Sequence, residues 1–315
     1  MTYEKTLLEI AKENENIVVL TAENRAAIRN LPAELGERFM DFGICEQTMV
    51  GAAAGLALRG RIPIVHALAS FLTMRAFEFI RTDIGIANLP VKLIGGVPGF
   101  LSDGNGPTHQ AIEDISLMRG IPGMEIFCPS DEWELTQGIR EIVNRPNPCY
   151  VRYNASEQFM EHADGFRFDK AEILRDGKDV TLISCGFLLD EVLKATQLLE
   201  EEGHRTRLIN LHTVKPIDRE SILHSAKDTD LMVTIEDHFQ IGGLFSIVSE
   251  LLAEHGTKCP VYSISLRERW FKPALLPDVL SYERFTGEQI AERIIAVLEK
   301  VEPFLTSKGK QWQIL

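Results

Sequence analysis

The stretch DFGICEQTMVGAAAGLALRG, residues 41–60, is almost free of charge and rich in small side chains. After Asp41, the only charged residue before Arg59 is Glu46. Gly43 can adopt a positive φ, and the residues that follow are typical of a helix that begins near Glu46. The glycines and alanines of this helix would let another backbone approach closely. Glu46 is therefore either a capping acid of a tightly packed core helix or a functional carboxylate.

Short runs rich in valine and isoleucine alternate along the chain with amphipathic segments of helical length. This alternation predicts parallel sheets with helical crossovers, and hence an α/β fold of two doubly wound domains, the second smaller. The predicted strands cover residues 17–20, 62–67, 91–97, 124–129, 179–186, 205–212, 231–237 and 260–265. The predicted helices cover residues 3–14, 70–87, 130–144, 188–202, 218–227, 243–255 and 287–301, the third with Ser130 as its N-cap.

The length of 315 residues is enough for two domains, each with its own core. Residues 154–170 are polar and lack clear periodicity, so the connection between the domains is placed there. We predict a first domain over residues 1–155, a linker over 156–172 and a second domain over 173–315. The length of the linker suits a docked strap as well as a flexible tether.

The net charge of −13 argues against nucleic acid or an anionic membrane as the main partner. The mean hydropathy is −0.03, and the longest uncharged runs are well short of the ~20 residues of a membrane span. The first residues are charged and amphipathic rather than typical of a signal peptide, so we expect a cytoplasmic protein. The five cysteines form no CxxC pair and are expected to be reduced and buried: Cys45, Cys128, Cys149, Cys185 and Cys259.

A second informative segment spans residues 95–122, where a loop rich in glycine and proline carries Thr108, His109 and Gln110. A loop at the carboxyl end of a parallel strand lies where open α/β sheets bind ligands. A histidine held there can exchange a proton near neutral pH. The alternative is a solvated or core-satisfied ring in a turn-rich connection.

A third segment, HALASFLTMRAFEFIRTDIG over residues 66–85, follows another predicted strand end. Phe71, Met74 and Phe77 lie among helix-forming residues at a spacing that is usual for core side chains. Because the segment begins at a strand end, one or two of the rings could instead face a cofactor. His66, which ends the strand, either lines the same site or is a satisfied strand-end histidine.

The motifs FG-x-x-EQ-x-M-x-G-x-AAGLAL-x-G, FL-x-x-RAFE-x-IR, DG-x-GPTHQ-x-x-EDI-x-x-MR-x-IPG and CPSDE-x-E occur in that order. In this combination the chain resembles the transketolase and deoxyxylulose-phosphate synthase superfamily. It is most similar to the pyrimidine-binding domain plus the C-terminal domain of a transketolase, made as a separate chain. The resemblance extends from Tyr3 to about Val301 and includes LHTVKPID and TIEDHFQIGGLFSIVSELL in the second half.

The resemblance implies a thiamin-diphosphate site around the first and third segments. Glu46 falls on the family's glutamate that hydrogen-bonds N1′ of the aminopyrimidine, so it is expected to bind and activate the cofactor. Phe71 falls on the ring stacked against the aminopyrimidine, and Phe77 on a second aromatic position nearby. Met74 replaces an aromatic residue close to the cofactor.

The resemblance also implies a substrate site. His109 falls on the loop histidine that faces the substrate hydroxyls and is expected to be catalytic, and Arg152 falls on the arginine that binds the terminal phosphate. Asn105 stands where single-chain transketolases carry an aspartate, and Asp103, two residues earlier, is the alternative carboxylate for that role. Because a second family histidine is replaced by valine and another arginine has no counterpart, an unusual ketose phosphate, a sulfosugar and an unphosphorylated sugar all stay open. His66 completes the candidate substrate-binding set.

The GDG motif, with which this family binds diphosphate through a metal, does not occur in the sequence. The resemblance therefore implies that a partner subunit supplies the diphosphate and Mg²⁺ site, that this chain holds no metal, and that an α2β2 heterotetramer forms. The expected reaction transfers a two-carbon ketol unit from a ketose to an aldose. Alternatives are the β subunit of a 2-oxo-acid dehydrogenase E1, a deoxyxylulose-phosphate-synthase-like enzyme and a non-catalytic scaffold homologue.

Overall fold

The computed structural model describes residues 2–163 and 165–305 and confirms the predicted α/β fold of two sheets with packed helices. The end of the predicted second domain, residues 306–315, lies outside the described residues. The strands are β1 (Ile17–Thr21), β2 (Phe39–Asp41), β3 (Ile62–Leu68), β4 (Lys92–Gly96), β5 (Glu125–Phe127), β6 (Cys149–Arg152), β7 (Glu172–Arg175), β8 (Val180–Ser184), β9 (Thr206–Asn210), β10 (Thr213–Lys215), β11 (Leu231–Phe239) and β12 (Val261–Leu266).

The helices cover the sheets and close each crossover. They are α1 (Tyr3–Glu13), α2 (Leu31–Leu35), α3 (Glu46–Leu58), α4 (Phe77–Phe79), α5 (Asp114–Arg119), α6 (Glu132–Ile142), α7 (Leu189–Glu201), α8 (Arg219–Asp228), α9 (Leu244–Glu254), α10 (Leu276–Glu283) and α11 (Gly287–Leu305). Wide π-helical turns over Phe71–Arg75 and Ile80–Gly85 flank α4. None of the helices in this described part of the chain is both long and apolar enough to span a bilayer.

The first sheet has seven strands in the order β10-β5-β6-β4-β3-β1-β2, and all pairs are parallel except β10 with β5. The second sheet has the order β12-β11-β8-β9-β7, with only β7 antiparallel to its neighbour. Five-residue strands such as β1 and β8 are buried along their whole length, as expected for parallel strands covered on both faces. The carboxyl ends of the parallel strands of the first sheet therefore meet at one edge.

Two features join the halves of the molecule. Strand β10 comes from the second half of the chain but pairs with β5 at the edge of the first sheet. One hydrophobic cluster also runs through both halves, with Met118 and Ile126 from the first half and Leu211 and Val248 from the second. The two sheets are consequently stabilised by a shared core as well as by their own.

The connection between the sheets is a docked strap. Phe168 is buried in the core of the first half, and its backbone N–H donates to Glu141 Oε2 over 3.1 Å. The His162 ring lies stacked on Trp133, with ring centroids 4.4 Å apart. The strap thus packs on helix α6 instead of forming a free tether.

Two local predictions are wrong. The N-cap of α6 is Asp131, whose side chain accepts from the Glu134 N–H over 2.9 Å, while Ser130 donates its hydroxyl to the Glu134 carboxylate. The cysteines are free, but Cys45 is exposed and Cys259 only partly buried. Cys45 is exposed because it directly precedes helix α3 at the open edge of the sheet.

Candidate active site

The candidate residues converge on the carboxyl edge of the first sheet because each follows the end of a parallel strand. Glu46 opens helix α3 after β2, Phe71 opens the π turn after β3, and His109 lies in the loop after β4. Gly43 has φ +63°, which confirms the predicted turn into α3. This edge is the usual ligand-binding position of open α/β sheets.

Glu46 is a buried carboxylate with a cationic partner. Its side chain is 2% exposed, and its Oε2 accepts from Nη1 of Arg75 over 2.9 Å. Arg75 is 38% exposed, so the pair lies at the boundary between core and surface. A buried charge is costly unless it is paired, and the bond from Arg75 supplies that partner for Glu46.

Aromatic and cationic side chains surround this pair. The Arg75 guanidinium carbon lies 4.0 Å from the centroid of the Phe71 ring, as in a cation–π contact. The Phe71 and His109 rings meet edge to face with centroids 5.0 Å apart, and the Thr108 hydroxyl lies 2.9 Å from His109 Nδ1. The structure thus brings together Glu46, Phe71 and His109, with Arg75 between them.

Arg75 was missed by the sequence analysis, although it stands in the quoted RAFE motif. Its spacing of four residues from Phe71 on a helical segment was the available signal, since such residues share a helix face. Its bond to Glu46 joins residues 29 positions apart and has no signature in the sequence.

Met74 and Phe77 lie on different sides of the same helical segment. Met74 is 36% exposed at the open edge, whereas Phe77 is half-buried and packs against the hydrophobic cluster that runs through both halves. The position of Met74 suits a ligand contact. The position of Phe77 is mainly that of a core residue.

The loop that carries His109, residues 97–110, begins with an unusual backbone conformation. Val97 has φ +48°, a region that β-branched residues rarely adopt. Asn105 is exposed in this loop, and Gly106 follows with φ +80°.

Asp103 does not fit the expectation of a sugar contact. Its Oδ2 accepts from the backbone N–H of Leu276 over 3.1 Å, and its Oδ1 accepts from that of Gly104 over 2.6 Å. Both carboxylate oxygens are thus engaged by backbone donors. The structure places Asp103 at the first N–H of helix α10 rather than free in the cleft.

The expected phosphate contact by Arg152 is corrected by the structure. Arg152 is 3% exposed, with Nε donating to Asp114 over 2.9 Å and Nη1 donating to Asp237 over 2.7 Å. Two buried carboxylates neutralise the guanidinium between the two sheets. Arg152 therefore joins the two halves of the molecule instead of facing a substrate.

His66 is buried at the end of β3, with Nε2 2.8 Å from the Tyr3 hydroxyl. Burial lowers the pKa of His66 to about 4, so the ring is neutral at physiological pH. It lines a cavity of about 190 Å³ beside Asn24, Val97 and Tyr153 at the same edge of the sheet. A role in substrate binding stays a prediction.

Within the described residues, Glu134, His162 and Glu172 form a group whose ligand atoms lie within 4.8 Å of one another. Both ring nitrogens of His162 are already bonded to carboxylates, to Asp131 over 2.9 Å and to Glu172 over 3.0 Å. The Glu134 carboxylate is held by Ser130 and by the Asn210 amide. The arrangement is a satisfied ion network rather than an open set of metal ligands.

Comparisons with known proteins match both halves of the chain. Residues 1–158 match the family described as "Transketolase, pyrimidine binding domain" and residues 169–290 that described as "Transketolase, C-terminal domain". A putative transketolase C-terminal section from Methanocaldococcus jannaschii is 35% identical over 304 residues, which cover 95% of each chain. A solved structure of a split-gene transketolase, an inactive β4 tetramer, has a TM-score of 0.83 and 33% identity over 95% of each chain.

Two further relatives differ in the reactions that their names state. The 6-deoxy-6-sulfo-D-fructose transketolase subunit SqwH of Clostridium sp. is 37% identical over 264 residues, 82% of this chain and 81% of that protein. The 1-deoxy-D-xylulose-5-phosphate synthase of Dictyoglomus thermophilum is 34% identical over 95% of this chain, but over only 49% of its own length.

Fold and site together define an α/β protein of two domains, with a buried carboxylate and a loop histidine at the carboxyl edge of the first sheet. The chain belongs to the transketolase family and carries its pyrimidine-binding and C-terminal domains.

Proposed function

We propose that this chain is the C-terminal subunit of a split, thiamin-diphosphate-dependent transketolase that transfers a two-carbon ketol unit from an anionic ketose to an aldose. The observation that carries the proposal is the cluster at the sheet edge. There a carboxylate that is 2% exposed lies beside a cation, an aromatic ring and a loop histidine.

The residues present fit the pyrimidine half of thiamin diphosphate. Glu46 offers a buried carboxylate, Phe71 and the partly exposed Met74 offer apolar surface, and the helix behind them is built from glycine and alanine. When bound, the cofactor supplies carbon–carbon bond chemistry that amino-acid side chains lack. Glu46 would hold a proton at a ring nitrogen, and His109 would orient and exchange protons with the sugar hydroxyls.

We further propose that a partner subunit holds the diphosphate and Mg²⁺, in an α2β2 assembly. Support comes from apolar side chains exposed around helix α3 and the helical segment after β3. Monomeric proteins rarely expose a large apolar surface, and such patches mark interaction sites. The residues concerned are Ile44, Leu58, Met74, Phe79 and Ile86.

A second candidate is the synthesis of a 1-deoxyketose phosphate, favoured by the similarity of nearly the whole chain to a 1-deoxy-D-xylulose-5-phosphate synthase. The two reactions differ in product, because ketol transfer keeps the terminal hydroxymethyl group of the ketose and the synthase product lacks that hydroxyl. Mass spectrometry of the products distinguishes them.

The test combines this chain with a candidate partner subunit that carries a GDG motif. Calorimetry measures thiamin diphosphate and Mg²⁺ binding to each chain and to the mixture, followed by a ketose-donor screen. We expect tight binding and activity only in the mixture. Glu46→Gln should keep assembly but lower kcat by about 10²–10⁴-fold, the usual contribution of a catalytic acid or base.

The matched control is Glu125→Gln. Glu125 is also buried and also paired with a partly exposed arginine, Arg145, over 2.6 Å, but it lies at the opposite end of the sheet. It should leave kcat within about twofold, because it removes a similar ion pair outside the site. Wild-type activity in Glu46→Gln would refute the proposal, and absence of cofactor binding in every mixture would favour a non-catalytic scaffold.

A further inference from the structure

The loop that carries His109 belongs by packing to the C-terminal domain, although it follows a strand of the first sheet. Phe100 is completely buried in the hydrophobic core of the second half. Its ring meets those of Phe271 and Phe285 edge to face, with centroids 5.1 and 5.0 Å away. Ile112, just beyond the loop, lies in the same core. Both ends of the loop are therefore anchored in the other domain.

The backbone at the start of the loop is also held by the C-terminal domain. Asp237 of β11 accepts from the Phe100 N–H over 3.2 Å. Gly99 permits this contact, because it has φ +55° and a Cβ there would lie 1.7 Å from the Asp237 carboxylate. The Phe239 N–H donates to the Ile112 carbonyl over 2.8 Å at the other end.

A short segment of the C-terminal domain, residues 271–276, lies along the middle of the loop. The Asp103 carboxylate accepts from the Leu276 N–H over 3.1 Å, and the Asp103 carbonyl accepts from the Ala274 N–H over 3.2 Å. The side-chain amide of Gln110, fully buried next to His109, donates to the Phe271 carbonyl over 2.9 Å. Asp103 thus caps helix α10, whose own N-cap residue makes no side-chain bond to it.

We propose that Asp103 and Gln110 are positioning residues that fix His109 by tying its loop to segment 271–276, so that the C-terminal domain sets the geometry of substrate binding. Because His109 lies between Asp103 and Gln110, the contacts of these two residues with segment 271–276 restrict the conformations that the loop can adopt. This inference rests on the proposed function, in which His109 contacts the sugar. The C-terminal domain would then help to shape the active site, although the site lies at the edge of the first sheet.

The first measurement is hydrogen exchange of the full chain, followed by mass spectrometry of peptides within residues 97–113. Asp103→Ala should accelerate exchange there by about tenfold, the factor expected for one lost helix cap. Asp103→Asn should exchange more slowly than Asp103→Ala and close to the wild type, because its one side-chain oxygen can still accept from the Leu276 N–H that begins helix α10. Gln110→Met removes the bond to the Phe271 carbonyl but keeps a side chain of similar length, and it should also accelerate exchange.

The matched control is Asp218→Ala. Asp218 caps helix α8, accepting from the Ser221 N–H over 3.3 Å, and it lies in a different part of the second domain. Its loss should leave exchange in residues 97–113 unchanged. Equal acceleration by Asp218→Ala would overturn the inference, because the effect would then be general destabilisation.

The second measurement is kinetics of the complex with the partner subunit. Asp103→Ala and Gln110→Met should raise KM for the sugar about tenfold and lower kcat less, because a misplaced loop weakens substrate binding in general. Asp103→Asn should restore KM. If Asp103→Asn has wild-type exchange but the KM of Asp103→Ala, Asp103 contacts the sugar directly and the inference fails.

Wild-type exchange in both Asp103→Ala and Gln110→Met would also refute it. An inactive wild-type complex would refute the proposed function alone. The exchange measurement needs no substrate and would still decide whether the C-terminal domain holds the loop.

Discussion

At the scale of single residues, the Glu46–Arg75 pair shows how a carboxylate can be kept inside a protein. A buried carboxylate without a partner is costly, and the bond from Arg75 offsets that cost. The Arg75 side chain is 38% exposed, and its guanidinium packs on the Phe71 ring. A ligand that bonds to Glu46 therefore meets a carboxylate that already accepts from a cation.

We predict that Arg75→Met lowers the free energy of unfolding of the isolated chain by about 1–3 kcal/mol, because Glu46 loses its donor while staying buried. Glu46→Gln in the same background should recover part of this loss, since a neutral amide needs no cation. Urea denaturation of the two single variants and the double variant gives the coupling energy. Lys12→Met, which breaks the exposed pair with Glu34, is the control and should change stability by less than about 1 kcal/mol. Strict additivity of the two substitutions would contradict the prediction.

The sequence could predict part of this site and not the rest, and the difference is physical. Phe71 and His109 follow predicted buried strands, and the ends of parallel strands meet at one edge, so their proximity was predictable. Glu46 follows β2, a partly buried strand of three residues that was not predicted. Arg152 has the same sequence setting, at the end of β6. Its role depends on Asp114 and Asp237, 38 and 85 residues away, and no local pattern marks such a contact.

At the scale of elements, helices α3 and α6 both contain glycines, but with opposite surroundings. In α6, a Cβ on Gly138 would lie 2.3 Å from the Phe127 ring, because the helix packs directly on β5. In α3, Gly55 is exposed, with nothing within 4 Å of a Cβ position in the described chain. One glycine is therefore required by packing, and the other only weakens its helix.

We predict opposite effects for alanine at these positions. Gly138→Ala should destabilise the chain by about 1–3 kcal/mol through overpacking, in spite of a better helix propensity. Gly55→Ala should stabilise the isolated chain by about 0.5–1 kcal/mol, the usual difference between glycine and alanine in a helix. Thermal and urea unfolding of both variants measure whether each substitution raises or lowers the free energy of unfolding. Destabilisation by Gly55→Ala in the isolated chain would show that this helix face is packed already.

The predicted secondary structure agrees with the observed one for fully buried strands, and it differs from the observed one for partly buried strands. The buried parallel strands β1, β3 and β8 begin and end within a few residues of their predicted positions. Strand β10 was missed, because three residues next to Pro216 look like a turn until they pair with β5. Its place is fixed by an edge in the other half of the chain, which sequence periodicity does not contain.

At the scale of the whole molecule, a buried ion network fastens the strap to both halves. His162 of the strap bonds through both ring nitrogens to Asp131 at the start of α6 and to Glu172 of β7. His212 Nδ1 lies 2.9 Å from Glu134 in the same region, and Arg167 and Lys170 line the adjacent cavity. The strap is thereby held by charge as well as by the burial of Phe168.

This network predicts a dependence of stability on pH. Burial opposes the charged His162 ring, but bonds to Asp131 and Glu172 outweigh it and raise the pKa of His162 from 6.5 to about 10. Burial likewise opposes ionisation of Glu172, but the bond from His162 holds its pKa below the usual 4.5. The raised histidine pKa stabilises the fold fully below pH 6.5, and this contribution is lost as the pH rises towards 10. The Glu172 contribution is present above pH 4.5 and is lost in acid.

We therefore expect His162→Gln to lower the free energy of unfolding by about 1.5–3 kcal/mol near pH 6, the usual contribution of hydrogen bonds to charged groups. The difference from the wild type should shrink steadily from pH 6.5 to pH 10, because a neutral imidazole carries no charge and can donate to only one of the two carboxylates. Urea denaturation, monitored by circular dichroism at several pH values, measures this difference in the free energy of unfolding. His224→Gln is the matched control, since His224 pairs with Asp228 but is 65% exposed, and it should have little effect at any pH. A difference that stays constant between pH 6.5 and pH 10 would mean that His162 is neutral in the folded protein and that packing alone holds the strap.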